Sequence, residues 1–191
     1  MIVKIFTPGY IPGVNFIYYN FEKDKYLERY FVMARIIRLT VNDSDKIRLV
    51  KNSLLSLRTC YPGFKKWFDK NIALNLEKDR EVFLALQDGQ FSGSLILKND
   101  KSEKKICTLF VRDKDRYNGI GLDFIRIASE ELETYKLPIT VSEDAIGIFS
   151  NSRSFNFYQK EVKPDLYKKG LKEYIGYIMY HDKDKELRGI R

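Results

Sequence analysis

Residues 110–132 read FVRDKDRYNGIGLDFIRIASEEL. Gly119 and Gly121 stand at the mouth of a helix-like pattern, where glycine costs roughly 1 kcal/mol against alanine. Either the turn needs them for its own geometry, or something must come close to that backbone. The first amides of a helix have no partner inside it, and its dipole adds about half a positive charge there. A phosphate can sit on such amides if side chains stay clear. Gly119 and Gly121 would keep them clear, and Arg112, Lys114 and Arg116 would add cationic charge. The chemistry indicated is a pyrophosphate cradle. A dinucleotide-binding turn is disfavoured, because it would need a third glycine near Phe124 and would open a parallel unit. A P-loop is excluded, since no Gly-Lys-Ser/Thr follows.

The elements that must hold this turn are legible around it. Arg35–Val41 alternates as a strand, and Asn42–Asp45 is a turn and helix-cap cluster. A helix is expected from Asp45 to about Leu57. Pro62-Gly63 then breaks the chain. Phe64, Trp67, Phe68, Ile72 and Leu76 fall at helical spacing. Three strand patterns follow, at 81–86, 91–98 and 105–111, the first two joined by the hairpin signal Asp88-Gly89. Leu122, Ile125, Ala128 and Leu132 share one helical face after the glycines, and 137–141 is a short buried-type strand. Strand, helix and strand over this length make a crossover to a parallel neighbour. Residues 149–160 read as another helix and 171–180 as a last strand. The fold class is α+β: an antiparallel meander that turns parallel at one end.

Composition bounds the remaining chemistry. The chain has 191 residues, 44% of them apolar, enough for one domain with its own core. A net charge of +8 favours an anionic partner: nucleic acid, a membrane surface or a polyphosphate ligand. Cys60 and Cys107 give neither metal spacing nor a disulfide framework, so no metal is expected. Cys107 alternates within a strand as a small core residue. The single histidine, His181, lies in a charged tail, so a histidine-dependent triad has no support. No apolar run reaches membrane-span length and the N-terminus lacks the apolar core of a signal, so a cytoplasmic protein is expected. Residues 1–32 differ in texture and read as an arm or extension. Residues 33–180 read as the domain and 181–191 as a charged tail.

The strand, Arg116-x-x-Gly119-x-Gly121, the helix and the short parallel strand resemble the acyl-CoA-binding core of the GNAT family of N-acetyltransferases. NSRSFNFY, 151–158, is similar to that family's Asn-x-x-Ala-x-x-Leu-Tyr pattern, with Ser154 for alanine and Phe157 for leucine. The resemblance covers about 33–180. It implies a GNAT-like mixed sheet flanked by helices, with a parallel strand pair at the cofactor site. It implies acetyl-CoA as acyl donor and transfer to an amine by direct attack. Val111 would offer backbone groups to the pantetheine arm. The amides of Arg116, Tyr117, Asn118, Gly119, Ile120, Gly121 and Leu122 would hold the pyrophosphate. Asn151 would contact the cofactor beyond the splayed strand, and Tyr158 would protonate the departing sulfur. The Gly-Phe that often follows that tyrosine is absent from QKEVKPDLY. A base is not singled out: Glu143 and Asp144 follow the parallel strand but are equally solvated turn residues. The acceptor, a small amine, a protein amine or an aminoacyl-tRNA, stays open, as does homodimerisation. The rival readings are a basic nucleic-acid-binding module and a catalytically silent acyl-CoA binder.

Overall fold

The structure, a computed structural model, describes residues 34–143, 145–150 and 155–180, with only the backbone described at 148 and 150. The expected arm at 1–32, the choice of Met33 as a domain start, and the tail at 181–191 lie outside the described residues.

Strand β1 (Arg35–Leu39) stops two residues short of its expected end. Asp43 stops it: its carboxylate accepts from the Thr40 amide (3.0 Å) and hydroxyl (2.9 Å), closing a tight turn. Lys46 and these Thr40 bonds hold the Asp43 carboxyl down to about 2. Helix α1 (Ser44–Ser53) follows and runs into a 3-10 segment (Leu54–Thr59), where one long helix was expected. Helix α2 (Phe64–Asn75) lies as expected, and Phe64, Phe68 and Ile72 bury their side chains in the core.

The meander forms in full. Strands β2 (Arg80–Gln87), β3 (Gln90–Asn99) and β4 (Lys104–Val111) pair antiparallel in the order β1-β2-β3-β4. Asp88 and Gly89 both have positive φ, as a two-residue hairpin turn between right-twisted strands requires. Strands β2 and β3 are buried on both faces. One face packs Leu39, Val82, Leu84 and Ile96 against α1 and α2. The other packs Phe83, Leu95, Leu97 and Ile106 against helix α3 (Ile120–Glu131), whose Phe124, Ile125 and Ala128 are fully buried.

A second sheet holds β5 (Lys136–Ser142), β6 (Phe155–Pro164) and β7 (Lys172–Tyr180), in the order β5-β7-β6, all antiparallel. Helix α3 lies over both sheets, because Leu137, Ile139, Val141 and Ile178 join the same apolar cluster. Strands β4 and β5 are neighbours joined by the α3 crossover. No ladder connects them, so they meet as a splayed pair.

The expected helix over 149–160 is a correction. A five-residue helix, α4 (Ile146–Ser150), comes first, and residues 155–164 are strand β6. Phe155 and Phe157 alternate with Asn156 and Tyr158, a strand period, and the two phenylalanines pack with Phe149 against the core.

Candidate active site

The turn from β4 into α3 is fixed by a buried carboxylate. The Arg112 amide donates to the Ser92 carbonyl (2.8 Å), continuing the β3–β4 pairing one residue beyond the strand. Asp115, only 6% exposed, accepts from the Ser92 hydroxyl (3.0 Å) and from Arg112 Nε (2.6 Å). Burial by itself pushes the Asp115 carboxyl up, but the bonds from Arg112 and Ser92 outweigh it and hold it below the usual carboxylate range. Arg116 pairs with Asp113 (2.6 Å) and reaches the Val111 carbonyl (3.4 Å). Two of the three cations expected around a phosphate are therefore engaged by carboxylates of the same turn. Lys114 is the exception.

The glycines separate into two cases. Gly119 caps α3 at φ 85°, a left-handed conformation that costs other residues dearly, so the turn itself needs it. Gly121 is different. Its φ is not positive, and an added Cβ would meet only a Val111 methyl, at 3.9 Å. Neither backbone nor packing accounts for a glycine in the first turn of this helix. The first helical bond runs from the Asp123 amide to the Gly119 carbonyl (3.0 Å), and no side chain caps the helix. The amides of Ile120, Gly121 and Leu122 thus have no intrahelical acceptor. Tyr117 stands beside them at φ 66°, 99% exposed.

The splayed β4 edge continues this surface. Strand residues turn their backbone groups alternately to either side. The Arg112 amide points to β3, so the amides of Val111 and Leu109 face the β5 side, where no ladder receives them. A shift in the β3–β4 register at Cys107, between the Leu97–Ile106 and Ile96–Thr108 pairs, bends the strand just before this open stretch.

Across the splay, on the sheet face away from α3, sits a polar cluster. Glu173 opens β7 opposite Ser142 of β5 and is 1% exposed. Its Oε2 accepts from the Tyr61 hydroxyl (3.4 Å), and its buried Oε1 has no hydrogen-bond partner among the described residues. Tyr61, between the 3-10 segment and α2, meets Tyr167 of the β6–β7 loop edge to face (5.2 Å). Burial pushes the Glu173 carboxyl up, with the Tyr61 bond acting the other way. Burial also pushes the Tyr61 phenol far above its usual value, helped by Glu173 and opposed by Ser142. Burial and Glu173 raise Tyr167 likewise. A carboxyl with a raised affinity for protons at the edge of an open strand pair is a candidate proton acceptor.

The residues proposed from sequence divide accordingly. Val111 and Arg116–Leu122 come together at the open edge and the α3 terminus. Asn151 and Asp144 lie outside the described residues. Glu143 is exposed and tied to Lys172, by side chain (3.4 Å) and by its amide to the Lys172 carbonyl (3.0 Å). Tyr158 is on a strand, not a helix, with its ring stacked on Tyr177 (5.2 Å, 13°). Tyr177 is four residues along β7 from Glu173, about 13 Å. Strand β7 also separates Tyr158 from β5. Its ring therefore lies away from the Glu173 cluster. Cys107 is half-buried, and burial pushes its thiol up, away from a nucleophile's range. Among the described residues no group of side chains is arranged to hold a metal, and no helix is long and apolar enough to cross a membrane.

Sequence reasoning missed Glu173 and Tyr61. The only sequence signal was a lone carboxylate beginning an apolar strand, KEYIGYIMY, beside an aromatic at the Pro62-Gly63 break.

No family model and no curated protein matches the chain by sequence. Solved structures do match it by shape. An acetyltransferase of the GNAT family from Bacillus cereus aligns with a TM-score of 0.56 at 15% identity, over 78% of this chain and 99% of that one. The ribosomal-protein-S18-alanine N-acetyltransferase from Escherichia coli aligns with a TM-score of 0.56 at 17% identity, over 78% and 94%. A GNAT family acetyltransferase from Elizabethkingia anophelis, with acetyl-CoA bound, aligns with a TM-score of 0.54 at 17% identity, over 78% and 98%. The chain has the GNAT fold.

The buried carboxyl makes stability depend on pH in a definite direction. Above the ordinary glutamate value of 4.5 the unfolded chain releases the Glu173 proton before the folded chain does, so folding loses stability as pH rises. Glu173→Gln keeps the acceptor for Tyr61 and removes the charge. Thermal melts from pH 4 to 8 should show the wild type losing ground to Glu173→Gln as pH rises above the ordinary glutamate value, then levelling off. Parallel curves would mean that Glu173 ionises as freely as in the unfolded chain.

Proposed function

We propose that the protein is a CoA-dependent N-acyltransferase, with acetyl-CoA as the donor and an amine as the acceptor. The observation that carries this reading is Gly121: a helix-entry glycine that nothing in the protein requires, beside uncapped amides and an open strand edge. The fold shared with GNAT acetyltransferases supports it, as does the acetyl-CoA bound in one of those neighbours.

Acetyl-CoA supplies an activated acetyl carbonyl and a thiolate leaving group. The amides of Ile120, Gly121 and Leu122 hold its pyrophosphate, with Lys114 the nearby cation not engaged by a carboxylate. The Leu109 and Val111 backbone groups that face the splay pair with the pantetheine arm. One of these amides also serves as donor to the carbonyl oxygen as it gains charge. On the other face Glu173 accepts the proton of the attacking amine. Tyr61 and Tyr167 wall its approach and keep water from the carboxylate. In this reading a phenol of this pair, rather than Tyr158, returns a proton toward the leaving sulfur.

The cradle and the proton path fail separately. Gly121→Ala should stabilise the fold by about 0.4–1 kcal/mol, because the helix gains a better former at no packing cost. Gly121→Glu should stay folded yet lose about a hundredfold in acetyl-CoA affinity by calorimetry, the loss of two charge-assisted bonds plus repulsion. Unchanged affinity in folded Gly121→Glu would remove the cradle.

Turnover with a verified amine separates the two faces. Glu173→Gln should lower kcat by roughly a hundredfold or more with acetyl-CoA binding intact, while Tyr158→Phe keeps near wild-type activity. The reverse pattern would restore Tyr158 to the chemistry and reduce Glu173 to a structural residue.

A further inference from the structure

About half of the described cations are neutralised by a neighbouring carboxylate. Arg38, Lys46, Arg48, Lys51, Lys98, Lys105 and Lys172, for example, each meet a carboxylate. Helix α2 and the chain leading into it gather several of the others at one place. A groove of about 630 Å³ runs beside Pro62 and Leu74, and Arg58, Lys65, Lys66 and Lys70 line it. Among the described residues none of these four has an ion-pair partner. The one acid of the groove, Asp69, is already taken by Lys51 of α1.

The track does not end at the groove. Pro62 adjoins Tyr61, whose ring meets Tyr167, and Lys168 and Lys169 follow Tyr167 in the chain, exposed and without ion-pair partners among the described residues. The nearest acid of that loop, Asp165, accepts the Gly170 amide (2.6 Å). The result is two sets of unneutralised cations, on α2 and on the β6–β7 loop, bridged by the Tyr61–Tyr167 contact, with the half-exposed Tyr167 ring beside them. Lys66 and Lys70 are one helical turn apart, about 6 Å along the axis.

We infer that this face is a docking track for single-stranded nucleic acid. A phosphate backbone presents negative charge at regular intervals, which suits cations strung along a helix and continued on a loop. The exposed Tyr167 ring offers a base a stacking face, the usual pairing in single-strand recognition. An acidic peptide would match the sign but offers nothing to that ring. The track lies on the acceptor side of the transferase proposed above. Its binding, however, requires neither acetyl-CoA nor turnover, so the two readings can fail independently.

The test uses the full chain and a fluorescein-labelled oligo(U) RNA of about twelve nucleotides, within the span of single-strand binding sites. Anisotropy titrations from 0.05 to 0.3 M salt give the salt slope. Each phosphate neutralised on a single strand contributes about −0.7 to that slope. Lys65→Gln/Lys66→Gln/Lys70→Gln should flatten the slope by about 2, which is on the order of a hundredfold in affinity at 0.1 M salt when the lines are read from 1 M. Lys78→Gln/Lys101→Gln, at exposed cations elsewhere, should change it little. The triple variant should melt and bind acetyl-CoA as the wild type does, and poly-glutamate of equal charge should compete far less well than unlabelled RNA. The inference is overturned if the wild type does not bind the RNA. Equal losses in the two variants, or equal competition by poly-glutamate, would overturn it as well.

Discussion

A strand edge must give its amides and carbonyls to something, and β4 has two edges but only one partner strand. Its inner edge is satisfied by β3. Its outer edge faces β5 across a gap in which no ladder forms. Buried backbone groups left without partners cost free energy comparable to a lost hydrogen bond, and folded proteins rarely tolerate a row of them. The rest of the molecule is arranged to hold this gap open. Helix α3 spans it from one side, with Phe124 and Ile125 against the first sheet and Leu137, Ile139 and Ile178 of the second joining the same cluster. The two sheets are thereby clamped at their apolar faces while their facing edges stay apart.

The same clamp fixes where charge can be received. Because the turn over residues 112–119 brings the start of α3 back against Val111, its uncapped amides lie beside the end of the strand. Asp115 locks the connecting turn by binding Ser92 of β3 and Arg112 of β4 at once. That lock also consumes Arg112, which leaves backbone amides, not arginines, as the principal anion donors. On the opposite face the β5–β7 register sets Ser142 against Glu173, and the chain between α1 and α2 lays Tyr61 over the carboxylate. One splay therefore has a face suited to a phosphate-bearing donor and a face suited to accepting a proton.

Much of this was legible in the sequence, and what was not has physical reasons. The meander and α3 were readable because their signals are local: the Asp88-Gly89 turn, alternation in β2–β4, and the Leu122, Ile125, Ala128, Leu132 stripe. The glycine-bearing helix entry stood out because glycines there are anomalous on propensity alone. The status of Gly119 and Gly121 was not, since only the observed φ and surrounding space distinguish a turn requirement from an unexplained glycine. Residues 155–160 were misread as helix. Their period of two is short, and the register shift between Gln159 and Glu161 interrupts it. Glu173 was invisible because its burial depends on Tyr61, 112 residues away in the chain. No local pattern encodes such a pair.

The open edge and the cradle are one site in this account, so they should respond together. Hydrogen–deuterium exchange of the wild-type chain with and without acetyl-CoA measures that directly. Peptides containing Leu109 and Val111, and those containing Ile120–Leu122, should both slow on addition of the ligand, while α2 exchanges as before. Protection confined to one of the two segments, or to neither, would contradict it.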